Sequence, residues 1–211
     1  MTPPLAPGWQ LVLPVKARAR AKSRLLPPAG IVRAELAHAF ARDTLAAVFA
    51  TIPGEQVLVV TSDERARDMV ESAGGLVVED PSAGLNAAVR EGLHRLPTAP
   101  ACRVGVLLAD LPALRPWELA RALACCELHE RAFVPDAEGT GTVLLTARSA
   151  ALLHPRFGAG SAAAHGRDSV RLDLDLPGLR TDVDDDESLR LATDLGLGRA
   201  TRGVLRHAAL P

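Results

Sequence analysis

Val104-Gly-Val-Leu-Leu-Ala-Asp-Leu-Pro-Ala-Leu114 is the stretch on which the fold turns. Its first half is a short uncharged apolar run, the pattern of a strand buried on both faces of a parallel sheet. Pro112 and Pro116 bar the strand from continuing, because proline cannot donate to a ladder. Asp110 therefore falls at the carboxyl end of a core strand, the rim where open α/β sheets bind ligands. Taken alone, an aspartate here would also serve as a helix cap. Its role has to be decided by the rest of the chain.

Working outward, apolar runs alternate with helical patterns. Residues 9–15 (WQLVLPV), 56–61 (QVLVVT), 76–79, 132–135 and 143–146 read as further strands. A helix is expected over 32–50, where Val32, Leu36 and Phe40 share a face. Ser62 and Asp63 offer caps for a helix to about residue 73. Others run from the 80–86 loop to 96, from Pro116 to about 130, over 161–165, and to about 195. Residues 172–179 read as a strand interrupted at Pro177-Gly178, and 196–211 as a tail without signal. At 211 residues and 48% hydrophobic, the chain suits a single α/β domain over 1–211 with a short extension at 1–8.

The bulk numbers exclude several classes. A net charge of −1 gives no footprint for nucleic acid or an anionic membrane. There is no signal-peptide pattern and no apolar run of membrane-spanning length. The three cysteines, Cys102, Cys125 and Cys126, form no metal spacing and suit a reducing cytoplasm.

Two features carry charge chemistry. Lys16-Ala-Arg-Ala-Arg-Ala-Lys-Ser-Arg24 follows the first strand, with five basic residues on even positions and no acid. Extended, it would set them along one side, where they could meet phosphates. A solvated basic loop reads as well from this segment alone. It contains neither G-x-x-x-x-G-K-[ST] nor G-x-G-x-x-G, which disfavours a P-loop and a dinucleotide site. Near the other end, Asp182 and Asp184 are two apart, so an extended backbone points both the same way. A calcium loop beginning at Asp182 fails, because Glu187 and Thr193 stand where glycine and a bidentate glutamate are needed. Asp185, Asp186 and Glu187 suit a helix N-terminus.

Glycine-bracketed turns add further candidates. Gly139-Thr-Gly-Thr142 would offer backbone N–H groups and hydroxyls to an anion, or be a plain hairpin turn. Phe157-Gly-Ala-Gly-Ser161 opens a short helix, with Ser161 as ligand or cap. Gly84 allows close backbone approach, and Asn86 reads as a base-edge contact or a cap. If Asp110, Asp182 and Asp184 converge, their repulsion calls for a hard divalent cation such as magnesium, shared with substrate phosphates. With a basic loop opposite and no activated nucleophile in the sequence, this composition fits phosphoryl or nucleotidyl transfer to a second substrate.

Seven motifs in one order cover nearly the whole chain: Pro14-Val-Lys16, Ala21-Lys-Ser-Arg-Leu25, Gly84-Leu-Asn86, Ala109-Asp-Leu-Pro-Ala-Leu114, Gly139-Thr-Gly-Thr142, Phe157-Gly-Ala-Gly-Ser161 and Asp182-Val-Asp184. Together they resemble the phospholactate/phosphoenolpyruvate guanylyltransferases of deazaflavin coenzyme (F420) biosynthesis. The resemblance implies a single-domain, three-layer, Rossmann-like nucleotidyltransferase of molybdopterin-guanylyltransferase-like fold with a mostly parallel mixed sheet. It implies that a phosphorylated three-carbon acid attacks the α-phosphorus of GTP and releases pyrophosphate, with transient hand-over to the next pathway enzyme. By that likeness Asp110, Asp182 and Asp184 bind Mg2+, and Thr142, Gly158 and Ser161 hold the acid. Lys16, Lys22 and Arg24 act on the triphosphate with Ser23, and Gly84 and Asn86 face the guanosine. An actinobacterium-like composition favours phosphoenolpyruvate over 2-phospho-L-lactate. A sugar-phosphate or pterin nucleotidyltransferase of the same fold, or a non-catalytic nucleotide-binding protein, are the alternative readings.

Overall fold

The computed structural model describes residues 6, 8–15, 25, 30–96 and 102–208. Lys16, Lys22, Ser23 and Arg24, and with them the basic loop, lie outside the described residues. The elements are β1 (Trp9–Pro14), α1 (Arg33–Phe49), β2 (Val57–Val60), α2 (Glu64–Ser72), β3 (Leu76–Val78), α3 (Leu85–Arg95), β4 (Arg103–Leu107) and α4 (Pro116–Cys126). There follow β5 (Arg131–Pro135), β6 (Thr142–Ala147), α5 (Ser161–His165), β7 (Val170–Arg171), α6 (Pro177–Arg180), α7 (Asp186–Leu195) and α8 (Arg199–Ala208).

The strands form one sheet in the order β3-β2-β1-β4-β6-β5-β7. All pairings are parallel except those of β6, which runs against both β4 and β5. The expected α/β architecture with a mostly parallel mixed sheet is therefore what the chain adopts. β4, the strand from which the reading began, is central and ends at Leu107, so Asp110 lies three residues into the loop beyond it.

Burial follows the two-residue period of the strands. Leu11, Leu13, Val57 and Val59 pack on one face with Leu45, Val48, Leu119 and Leu123. Val12, Leu58, Val60 and Val106 pack on the other with Val89, Phe133, Leu145 and Phe157. Both faces of the sheet are thus covered, which is why the central strands read as unbroken apolar runs.

Two segments depart from the sequence reading. The strand expected over 172–179 does not form: only Val170–Arg171 pair with β5, and Pro177–Arg180 make a helical turn. The alternation that suggested a strand is real, since Leu172, Leu174 and Leu176 face the core while Asp173 and Asp175 are exposed. Its backbone instead closes tight local bonds, Leu174 N–H to Leu172 C=O and Leu176 N–H to Leu174 C=O. Proline at the first helical position then favours a turn over a strand.

The segment that carried no signal contains α8, which packs on α1. Asp43, buried on α1, holds its start by accepting from Ala200 N–H and Thr201 N–H at 2.8 Å each. Val204 and Leu205 join Leu36, Phe40, Ala113, Val183 and Leu189 in a third apolar cluster under the loops that follow β4 and α6. Asp43→Ala removes the side-chain acceptor for the first amides of α8. It should lower the free energy of unfolding by about 1–2 kcal/mol, read as a shifted urea midpoint.

Candidate active site

The chain leaves β1 for β2 on one side and reaches β4 on the other, so the carboxyl rim between β1 and β4 is a topological switch point. A cavity of about 580 Å³ opens there, in the range of small-ligand sites. Pro14 and Val15 at the end of β1 and Leu108–Asp110 after β4 form its floor. Thr142 at the start of β6, the 157–161 loop, and Asp182 with Asp184 form its walls.

Backbone contacts fix Asp110 in place. Thr44, fully buried on α1, shares its hydroxyl hydrogen between Phe40 C=O (2.9 Å) and Ala109 C=O (3.2 Å) and accepts from Leu111 N–H (3.0 Å). The peptide on each side of Asp110 is thereby held by one side chain. Val183 N–H donates to Asp110 C=O at 3.0 Å, so the two acidic segments are joined directly. Val183 is fully buried in the third apolar cluster, and its neighbours Asp182 and Asp184 turn the other way, to the cavity. Asp185 caps α7 by accepting from Ser188 N–H at 2.9 Å, which separates its role from that of Asp182 and Asp184.

The segment leading to Asp182 is anchored on both sides. The buried Glu118 carboxylate accepts from Gly178 N–H (2.8 Å) and Arg115 N–H (3.0 Å). The Arg180 guanidinium donates to the carbonyls of Pro135, Asp136 and Leu174, and Ala137 N–H returns a bond to Arg180 C=O at 2.7 Å. Arg180 thus couples the acidic segment to the 136–142 turn.

That turn differs from the sequence expectation. Its N–H groups at Thr140 and Gly141 donate to the carboxylate of Asp136, at 3.0 and 2.7 Å, and are not offered to a ligand. A Cβ at Gly141 would collide with this carboxylate, which accounts for the glycine. What the turn presents to the cavity is the side chain of Thr142 and the edges of Thr140 and Gly141. Gly158 and Ser161 also line the cavity, and Gly158 has φ +134°, a conformation that residues with a Cβ rarely adopt.

Gly84 and Asn86 are not among the cavity-lining residues; Leu85 between them is. The Asn86 amide is paired at both ends with the backbone of Phe157, donating to its C=O and accepting from its N–H, each at 2.8 Å. In place of the base-edge contact expected from sequence, Asn86 latches the 157–161 loop to α3.

His165, the last residue of α5, closes a second buried pair. Its Nδ1 lies 2.9 Å from Thr142 Oγ1, and its Nε2 accepts from Arg156 N–H at 2.9 Å. Burial pushes the imidazole pKa down from 6.5 to about 4, helped by the Arg156 guanidinium and opposed by Asp168. Thr44, Asp136 and Arg180 escaped sequence reading. The one visible hint was Thr44, a polar residue on the apolar side of an otherwise buried helix face.

The acidic donors facing the cavity are all carboxylate oxygens, the chemistry of a hard cation. Among the described residues no three Asp, Glu, His or Cys side chains form a ready-made metal cage. A magnesium ion fits such a wall in its usual manner, shared between one or two carboxylates and substrate phosphates. Cys126 is buried and its thiol is pushed up to about 11, so it is no nucleophile.

A carboxylate-rimmed cavity at the switch point of a mostly parallel sheet defines a nucleotidyltransferase-type domain, and residues 35–175 match the MobA-like NTP transferase domain family. Over 202 residues the chain is 48% identical to the phosphoenolpyruvate guanylyltransferase of Streptomyces coelicolor, covering 93% of this chain and 95% of that protein. The identity to the phosphoenolpyruvate guanylyltransferase of Streptomyces scabiei is 45%, covering 96% and 98%. A solved structure from Desulfovibrio desulfuricans G20, assigned as a nucleotide-diphospho-sugar transferase, superposes with a TM-score of 0.57 at 13% identity, covering 95% and 98%. The chain belongs to the phosphoenolpyruvate guanylyltransferase family, within the MobA-like NTP transferases.

Thr44→Val keeps the volume but leaves the buried Leu111 N–H without its acceptor. It should cost about 1–3 kcal/mol in equilibrium unfolding. A second outcome concerns pH. His165 titrates near 6.5 when unfolded and about 4 when folded, so between these values only the unfolded chain takes up the proton. Stability should fall as pH is lowered from 6.5 towards 4. His165→Gln should flatten that part of a plot of thermal midpoint against pH.

Proposed function

We propose that this protein transfers GMP from GTP to phosphoenolpyruvate with release of pyrophosphate. The observation that carries this reading is one cavity lined both by Asp110, Asp182 and Asp184 and by Thr142, Gly158 and Ser161. The identity to named guanylyltransferases supplies the substrates.

In the proposed reaction a phosphate oxygen of the acid forms a bond to the α-phosphorus of GTP. The bond from that phosphorus to the bridging oxygen breaks, and its electron pair leaves with pyrophosphate. A phosphate monoester is largely deprotonated at neutral pH, so the nucleophile needs no enzymic base. This agrees with a site whose described residues include no activated serine or cysteine. The protein's task is then positioning and charge neutralisation. Thr142, Gly158 and Ser161 hold the acid. Asp110, with Asp182 and Asp184, would hold magnesium, which when bound offsets charge on the phosphate oxygens. The anchoring by Thr44 and Val183 holds the backbone that carries those carboxylates. Lys16, Lys22, Ser23 and Arg24 would meet the triphosphate from the segment after β1. A cytoplasmic setting and hand-over of the product to the next enzyme complete the proposal. No helix among the described residues is long and apolar enough to cross a membrane.

Purified protein with GTP and magnesium should release pyrophosphate when phosphoenolpyruvate is added. Release only with a sugar phosphate or a pterin cofactor, or GTP binding without turnover for any acceptor, would overturn the reading. Asp110→Asn and Asp182→Asn should each slow turnover by ~10²-fold or more. Near-normal rates in both at saturating magnesium would remove the carboxylates from the mechanism.

A further inference from the structure

The hydrogen-bond order around His165 dictates more than the fold of the loop. The donor at Nε2 is a backbone amide, Arg156 N–H, which can only donate. Nε2 is therefore the bare nitrogen, and a neutral imidazole then carries its proton on Nδ1. That proton is directed at Thr142 Oγ1, 2.9 Å away. Thr142 is thus an acceptor toward the ring, and its own hydrogen is left to point elsewhere. Among the described residues no acceptor is recorded for it, and Thr142 lines the cavity. The ring is held in this orientation by Phe157, edge-on at 5.1 Å between centroids, and by Phe133 at 6.0 Å. His165 itself is fully buried and does not line the cavity.

We infer that His165 is a positioning residue that fixes the Thr142 hydroxyl as a hydrogen-bond donor into the cavity, making this subsite selective for an acceptor-only oxyanion, a phosphate or carboxylate group. A ligand ammonium or amide N–H offered at the same place, able only to donate, would meet a donor and leave the buried hydroxyl hydrogen unsatisfied, which is costly. The inference rests on the acid-binding role proposed for Thr142 and adds the reason that a threonine there discriminates.

The order is tested first without turnover. A long-range proton–nitrogen spectrum of the wild-type imidazole distinguishes the protonated from the bare ring nitrogen. Protonated Nδ1 is expected, and protonated Nε2 overturns the inference. Kinetics then separate positioning from a merely structural role. His165→Gln, which reaches toward Arg156 N–H but not Thr142, should raise KM for phosphoenolpyruvate roughly 10-fold, leaving kcat and KM for GTP within about twofold. His165→Asn places an N–H near the Nδ1 position and should recover most of that loss. In a Thr142→Val background the His165→Gln change should add little further. Both Michaelis constants worsening together, or no gain from asparagine over glutamine, would overturn it. If wild-type protein released no pyrophosphate with phosphoenolpyruvate, the acceptor reading would fall, while the ring spectrum would still decide the hydrogen-bond order.

Discussion

One peptide hydrogen bond, from Val183 N–H to Asp110 C=O, joins the loop after the central strand to a segment more than seventy residues later. The constraint it answers is electrostatic. Carboxylates of like charge do not collect at one cavity of their own accord, because like charges repel. The chain brings them together through neutral parts: a peptide bond, a buried valine, and a threonine hydroxyl that grips both neighbours of Asp110. The apolar cluster of Leu36, Phe40, Ala113 and Val183 supplies the adhesion. The charged groups are passengers on that frame.

The same division of labour recurs around the cavity. Whereas Thr142 pairs with His165, the buried or half-buried polar groups of Glu118, Arg180, Asn86 and Asp136 address backbone. Glu118 grips Gly178, Arg180 grips Pro135 and Asp136, Asn86 grips Phe157, and Asp136 grips its own turn. Each of these pairs satisfies loop amides or carbonyls that would otherwise need water, which is what allows irregular segments to pack closely at the rim. Preorganisation of this kind suits a reaction in which charge must be met by groups already in position.

How far the sequence could be read follows from the range of each interaction. The central strands were legible because burial on both faces leaves a continuous apolar run. The side-by-side orientation of Asp182 and Asp184 was legible because the two-residue period is local. Beyond the bond from Leu172 N–H to Phe133 C=O, residues 173–176 kept that period outside any strand, and nothing in a pattern of leucines and aspartates reports where a neighbouring ladder stops. α8 was invisible for the opposite reason: its cap is Asp43, more than 150 residues away. Asn86 and the amides of Thr140 and Gly141 carried ligand-like groups that are engaged by the protein itself. Composition names what a side chain is able to bind, and only the tertiary arrangement tells which partner reached it first.

The lone reversed strand has a further consequence. Because β6 runs against its neighbours, its first residue, Thr142, lies at the rim where the parallel strands end. A strand's beginning and another's exit therefore share one mouth, yet they belong to separate stretches of polypeptide. Arg180 spans that mouth and ties the stretch leading to Asp182 to the one leading to Thr142, so a change of shape in either is transmitted to the other.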